Sequence, residues 1–359
     1  MRMEENKPLA PYTTFAIGGP ARWFVEAASE DEIVEATAWA RERGLALFVL
    51  GGGSNLLVAD GGFDGLVVRV GLRGISIDAA EADGEGSALR TYRAAAGEDW
   101  DSFVQRTVLD DCAGVECLAG IPGTVGGTPV QNVGAYGQEV ASTIERVRAF
   151  DLNEQRFVEF SAAECGFAYR RSRFNSSDRG NYIVTRVDYR LTLGGAPTIR
   201  YADLQRAIQD AAQEGTQQSL ADVARVVRRI RLAKGMLLVD GDPDCRSAGS
   251  FFKNPVVSDE HAGEIAALSR EVPPWFPTEP GHVKLPAAWL IEQAGFAKGY
   301  ALGAAAISSR HTLALVNLGN EGRGGASAQD VLALAGQINA VVEARFGIHL
   351  EMEPVLVGF

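Results

Sequence analysis

The sequence predicts a mixed α+β fold in two parts, on three observations. Strand-like runs interspersed with helical ones extend from about residue 22 to Leu193. Gly194-Gly195-Ala196-Pro197 then breaks that pattern, and beyond the break helical periodicities take over. At 359 residues the chain has room for two domains of ~150 residues each, with the division expected between residues 195 and 218.

The elements follow in order. Arg22-Trp23-Phe24-Val25-Glu26-Ala27-Ala28 reads as a strand, and Ser29-Glu30-Asp31-Glu32 as a capping box that gathers acid where the helix dipole is positive. Ile33, Val34, Ala36, Thr37 and Ala40 give the next helix one apolar stripe, and Gly44 stops it. Residues 45–50 (LALFVL) form an unbroken apolar run, expected of a strand buried on both faces. A strand over 66–70 completes a β-α-β-β unit. Residues 76–90, acidic and glycine-containing, suit a solvated hairpin tip, with strand-like pieces and loops onward to Leu193. Further helices are expected from Ser219, from Pro286 to Gly295, and from Ser327-x-x-Asp330 to Gly347, before a final strand over 348–357.

Lys and Arg number 34 against 46 Asp and Glu, a net charge of −12. A field of that sign repels polyphosphate and argues against nucleic acid or an anionic membrane as partner. No apolar run approaches the ~20 residues of a membrane span, and the opening MRMEENKPLAPYTTF has no signal-peptide pattern. A cytoplasmic monomer with small-molecule partners is the expectation. The four cysteines (112, 117, 165, 245) include no C-x-x-C pair, and the four histidines are scattered, so no metal site is expected.

Two segments hold more glycine than turns require. Leu50 leads into Gly51-Gly52-Gly53-Ser54-Asn55, where residues without Cβ let the backbone approach a ligand and aim N–H groups at a phosphate. A plain glycine-rich connection is the alternative. The run fits neither a P-loop nor a G-x-G-x-x-G dinucleotide motif. The second segment, Gly120-Ile121-Pro122-Gly123-Thr124-Val125-Gly126-Gly127 followed by Asn132-Val133-Gly134-Ala135-Tyr136-Gly137, carries no charge. Its chemistry suits a pyrophosphate held by backbone amides beside an apolar ring system, so both segments point to a nucleotide-like cofactor.

With Thr14-Phe15-x-Ile17-Gly18-Gly19-Pro20-Ala21, these motifs resemble the UDP-N-acetylenolpyruvoylglucosamine reductase family. Phe167-Ala168-Tyr169-Arg170, Tyr201-Ala202-Asp203-Leu204, residues 248–255 (AGSFFKNP), residues 287–293 (AAWLIEQ) and Glu351-x-Glu353 extend the resemblance to about residues 12–358. It implies an FAD-binding region of the vanillyl-alcohol-oxidase (PCMH) type over 12–195. A substrate-binding domain over 218–346 and a terminal strand over 347–359 carrying a catalytic glutamate would follow. It also implies non-covalent FAD, NADPH as hydride donor, and the enolpyruvyl ether of UDP-N-acetylglucosamine as substrate, with UDP-N-acetylmuramate as product. Residues 235–247 are longer than the usual connection and resemble actinobacterial members.

The resemblance names Arg170, Ser250 and Glu353 as catalytic. Hydride addition to the enol ether places negative charge on the adjacent carbon and its carboxylate, which an arginine can bind through two parallel bonds. A serine then delivers the proton. Each has a bland alternative: a surface arginine beside Arg171 and Arg173, a turn hydroxyl, and a carboxylate on a solvated strand face, a place for which Glu351 is the better candidate. Only five lysines occur, four of them between 234 and 298. Lys234 with Arg231 could clamp a diphosphate, or both could lie on a basic face in water. Tyr201 would stack or hydrogen-bond nearby. Lys253 could steady the serine oxygen, Asn254 and Gln293 could bind sugar or uracil, and Trp289 belongs to the core. Another FAD oxidase of the same fold, acting on a small alcohol or hydroxy acid, is the competing activity.

Overall fold

In the computed structural model, which describes residues 1–82, 87–211, 218–269, 272–319 and 325–359, Ser29 caps the helix Glu30–Glu42. Its Oγ accepts from the Glu32 N–H at 3.2 Å, while the Glu32 carboxylate reaches one residue further back, to the Ala28 N–H. The helix ends at Gly44, whose φ of +60° only glycine adopts at no cost. Ala46–Leu50 follows as a strand parallel to Phe63–Val70.

The chain divides into two units. The first contains residues 1–7, 21–52 and 64–232. One sheet has the order Glu4–Pro8, Pro20–Ala27, Phe63–Val70, Ala46–Leu50. A larger one is built on the long strand Tyr182–Leu193, which pairs antiparallel with Ile144–Asp151 on one side and Ala88–Ala95 on the other. Trp100, Phe103 and Tyr189 are buried in the core of this unit, with the Phe103 and Tyr189 rings 4.8 Å apart. Sequence periodicity left residues 100–109 among strand-like pieces. They form a helix, Trp100–Leu109, capped by Asp99 and burying Trp100, Phe103, Val104 and Thr107 at helical spacing. The centre of the expected hairpin tip, 83–86, lies outside the described residues, as do 212–217 within the expected division.

The second unit gathers three separate segments, 8–20, 53–63 and 233–359. Its core packs Phe15, Leu57, Phe251 and Phe252 with the helix Ala328–Phe346. That helix starts at Ser327 as expected, with both arms of a capping box made by Ser327 and Asp330, and ends at Gly347 with φ +65°. Pro286 is the cap residue of Ala287–Gln293, not its first residue, and the Ala287 N–H is taken by the Asn254 side chain at 2.9 Å. The expected tail strand is shorter than residues 348–357: only Val355–Val357 is strand, parallel to Leu56–Val58. Ile348 and Leu350 instead turn into the core, and Pro354 has no N–H to offer a ladder. Both units mix helices with largely antiparallel sheet, so the fold class is α+β.

Candidate functional site

The glycine segments meet inside the first unit. A Cβ built on Gly52 would lie 2.5 Å from the Gly123 Cα and 2.8 Å from its carbonyl carbon, and one on Gly51 2.9 Å from the Thr124 Oγ1. Only glycine allows that approach, so the end of the strand Ala46–Leu50 and the loop 120–124 form one surface. Most of the N–H groups expected to face phosphate along 120–127 are engaged internally. Gly120 donates to Asp101 Oδ1 at 2.6 Å, Ile121 to Leu118 O, Val125 to Glu98 O, Gly126 to Ala96 O, and Gly127 to Thr124 O. The shape of this loop is therefore set by the protein. Gly53, Ser54 and Asn55 belong to the second unit, where Gly53 (φ +63°) abuts the Tyr12 carbonyl and the Asn55 carbonyl accepts from Val355 N–H.

Arg231 departs from the expectation of an open diphosphate clamp. It is only 7% exposed, and its Nε donates to the Gly120 carbonyl at 3.0 Å. Burial lowers its pKa, opposed by Tyr136 and Asp101. An arginine so placed remains charged and braces the glycine loop from below. Arg228 pairs with Asp101, the same carboxylate that holds Gly120.

Arg170 sits in a tight turn whose ends, Ala168 and Arg171, exchange backbone hydrogen bonds. Its φ of +54° is left-handed, an uncommon conformation for a long side chain that concentrates at functional sites. Its Nη2 donates to the Gly134 carbonyl at 2.9 Å. The hairpin formed by Gly134–Ala135 and Gln138–Glu139 carries Tyr136 at its tip, with its ring 6.0 Å from that of Tyr201 at 87°. Burial raises the Tyr136 phenol's pKa, while Arg231 lowers it. Tyr201 is 44% exposed at the start of the helix Ala202–Ala211. The fully buried Glu116 ties this region together: it accepts from Gln138 Nε2 at 2.9 Å and from the Thr198 N–H at 2.7 Å. Neither Glu116 nor Gln138 stood out in the sequence. Asn132 did, and its side chain is largely occupied inside the protein, by Glu139, Ala168 and Ala141.

Ser250 and Glu353 belong to the second unit. Phe252 and Met352 form a β-bridge flanked by Lys253 N–H to Glu351 O and Glu353 N–H to Phe251 O, both 2.9 Å, so the two catalytic candidates lie on adjacent backbone segments. The Ser250 hydroxyl has no hydrogen-bond partner among the described residues, which sets it apart from a turn-capping serine. Lys253 pairs with the exposed Glu351, an ion pair the sequence did not suggest. Asn254 caps a helix through its oxygen, Gln293 is half-buried at that helix's end with its carbonyl taken by Arg345, and Trp289 packs on Phe346 as a core residue. Lys234 follows the helix Leu220–Ala233, half-buried. Residues 235–247 fold on themselves. Asp242 and Asp244 both pair with Arg310, and the Cys245 thiol donates to the Val239 carbonyl at 3.2 Å. Arg246 and the Ser247 carbonyl, which accepts from Thr14 Oγ1 at 2.5 Å, then lead into Ser250.

Residues 21–158 match the model of an FAD binding domain, and residues 242–357 that of the C-terminal domain of UDP-N-acetylenolpyruvoylglucosamine reductase. The chain is 47% identical to the reductase of that name from Thermobifida fusca, over 98% of this chain and 97% of that one. It belongs to the UDP-N-acetylenolpyruvoylglucosamine reductase family. The Streptomyces coelicolor reductase is 45% identical over 98% of this chain and 90% of its own. A crystal structure of the Thermus caldophilus reductase superposes with a TM-score of 0.65 at 28% identity, covering 99% of both chains. Membership of the family makes FAD the cofactor, and the structure fits it: the uncharged surface of Gly51, Gly52 and Gly123, with only the Thr124 hydroxyl beside it, is the kind of wall a diphosphate and flavin can approach. Among the described residues, no helix is long and apolar enough to cross a membrane.

Proposed function

We propose that the protein, a cytoplasmic monomer, reduces the enolpyruvyl ether of UDP-N-acetylglucosamine to UDP-N-acetylmuramate with NADPH as electron source, a step in making cell-wall precursor. The observation that carries this reading is the 47% identity over 98% of the chain to a reductase named for that enol ether. Gly51, Gly52, Gly53, Ser54 and Asn55, with residues 120–124, Gly126, Gly127 and residues 134–136, hold FAD. When bound, FAD supplies the hydride for the carbon–carbon double bond and is replenished from NADPH.

The chain's own groups manage the charge and the proton. With hydride added at the terminal carbon, negative charge develops on the adjacent carbon and its carboxylate. Preorganised donors lower such a barrier most. Arg170, fixed by its turn and by the Gly134 carbonyl, supplies a guanidinium to that carboxylate. The Ser250 O–H bond then breaks as a C–H bond forms at the adjacent carbon, and the serine oxygen regains a proton from water. Its hydroxyl is not committed to another group among the described residues, as a donor requires. Glu353 orients Arg170 or, in its protonated form, donates to the developing enol. Tyr201, Lys234 and Gln293 bind the nucleotide sugar, while Arg231 acts on the diphosphate side by holding the Gly120 loop.

Anaerobic flavin absorbance tests this reading. NADPH should bleach the yellow protein, and the enolpyruvyl substrate should restore the colour. In Ser250→Ala, bleaching should proceed at nearly the parental rate while recovery slows by orders of magnitude. Equal losses in both halves would overturn the proton-donor assignment, and bleaching that no enol ether reverses would overturn the substrate.

A further inference from the structure

We infer that Asn132 and Glu139 are positioning residues that set the placement of Arg170, an inference that rests on the reading of Arg170 as the group facing the substrate carboxylate. The sequence suggested that Asn132 contacts the cofactor. In the structure it is 1% exposed, and its amide nitrogen donates to Glu139 Oε2 at 2.8 Å and to the Ala168 carbonyl at 3.0 Å, while its oxygen accepts from the Ala141 N–H at 3.1 Å. One side chain therefore links the hairpin 134–139 to Ala168, where the turn bearing Arg170 begins. On the far side of the turn, Asn175 Nδ2 donates to the Arg170 carbonyl at 3.1 Å and its Oδ1 accepts from the Ser172 N–H.

The guanidinium is held by the same hairpin, through the Gly134 carbonyl. Gly134 stands opposite Glu139 in the hairpin register, and a Cβ there would lie 2.7 Å from Glu139 Cγ and 3.5 Å from Arg170 Nη1. Backbone and head group of Arg170 thus refer to one hairpin, with Asn132 and Glu139 as the tie between them. Left-handed φ values at Asn132 (+46°), Tyr136 (+51°) and Arg170 (+54°) mark this stretch as held in place by its surroundings. A guanidinium fixed from both ends is preorganised for charge that develops only in the transition state, and misplacing such a group by ~1 Å can cost ~100-fold.

The experiment separates placement from folding and from cofactor binding. In Asn132→Ala holoenzyme, kcat should fall ~10- to 100-fold, KM for the enolpyruvyl substrate should change less than about threefold, and bleaching by NADPH should keep its rate. Glu139→Gln retains an acceptor oxygen for Asn132 and should stay close to the parent, whereas Glu139→Ala should reproduce the Asn132→Ala loss. Combining Asn132→Ala with Arg170→Ala should be no worse than Arg170→Ala alone. Losses that multiply would overturn the inference, and so would a drop in FAD content or in bleaching rate equal to the drop in kcat. If the unmutated chain does not turn over the enol ether, the functional reading fails instead. Amide hydrogen exchange then decides the inference: Asn132→Ala should speed exchange across 168–171 at least tenfold, and unchanged protection would refute it.

Discussion

Gly52→Ala is the sharpest perturbation of the cofactor wall. Its new methyl would sit 2.5 Å from Gly123 Cα, 2.8 Å from Gly123 C and 3.1 Å from Thr124 N. All three are backbone atoms, so no flexible side chain can yield, and ordinary contact requires the two loops to part by ~1 Å. Overpacking of this kind costs about 1–3 kcal/mol. If that strain is released by opening the wall, it appears as a roughly 5- to 150-fold weaker Kd for FAD. Titrating apoprotein with FAD while following flavin fluorescence, alongside thermal unfolding, measures both consequences. Gly127→Ala, whose methyl would meet only Thr124 Oγ1 at 4.0 Å, should weaken binding least among the glycines of the two loops. Gly336→Ala, within the helix Ala328–Phe346 and with open space around it, should raise stability by about 0.5–1 kcal/mol and leave FAD affinity alone. A Gly52→Ala protein that binds FAD like its parent and melts within a degree of it would refute the close-approach argument.

Other outcomes follow from the second unit. The Asp244 carboxyl, despite a desolvation cost that alone would raise its pKa, is held below its usual range by Ser309, Ser308 and Arg310. A depressed carboxyl stabilises the fold above its unfolded pKa near ~3.9 and loses that contribution as pH falls through the folded value. Arg310→Ala should thus destabilise by about 1–3 kcal/mol at pH 7, with the gap to the parent shrinking below pH ~4 in denaturant titrations; a constant gap would exclude the ion pair as its source. Glu351→Gln should alter stability by less than ~1 kcal/mol, since the carboxylate of its pair with Lys253 is well exposed. If Lys253 steadies the serine oxygen, removing its carboxylate partner should leave the substrate half-reaction as fast or faster, measured as recovery of flavin colour.

What the sequence made legible was local. The cap at Ser29, the helix start at Ser327-x-x-Asp330, the stops at Gly44 and Gly347, and the two glycine loops depend on residues a few positions apart, and the structure contains them, although the Glu32 arm of the box expected at Ser29 reaches Ala28 instead. The helix Trp100–Leu109 was legible too, from Asp99 as cap and apolar residues at 100, 103, 104 and 107, but the surrounding strand-like composition masked it. Long-range partners were not. Nothing near Arg231 in the sequence says that its Nε will reach Gly120 across 111 positions, or that Glu116 will collect Gln138 and Thr198. A basic helix face and a lone acidic residue look the same whether solvated or buried, because burial is decided by segments far away in the chain. Asn132 shows the same limit. Its residue type and motif were informative, while its side-chain partners depended on a turn 36 residues later.

The second unit's construction also bears on how the protein is made. Leu56–Val58 pairs with Val355–Val357, and the Asp60 carboxylate receives the Ala328 and Gln329 N–H groups at 2.8 and 3.2 Å. Early segments must therefore wait for partners synthesised much later. The first unit has all its residues once the ribosome passes Leu232, but residues 8–20 and 53–63 stay without their core until residues 233–359 have followed. Phe15, Ile17 and Leu57 are apolar residues of that waiting surface, and exposed apolar stretches on nascent chains favour aggregation. On this account the yield of folded protein should depend on chaperone supply and on elongation rate through residues 64–232, which sets how long the two early segments wait.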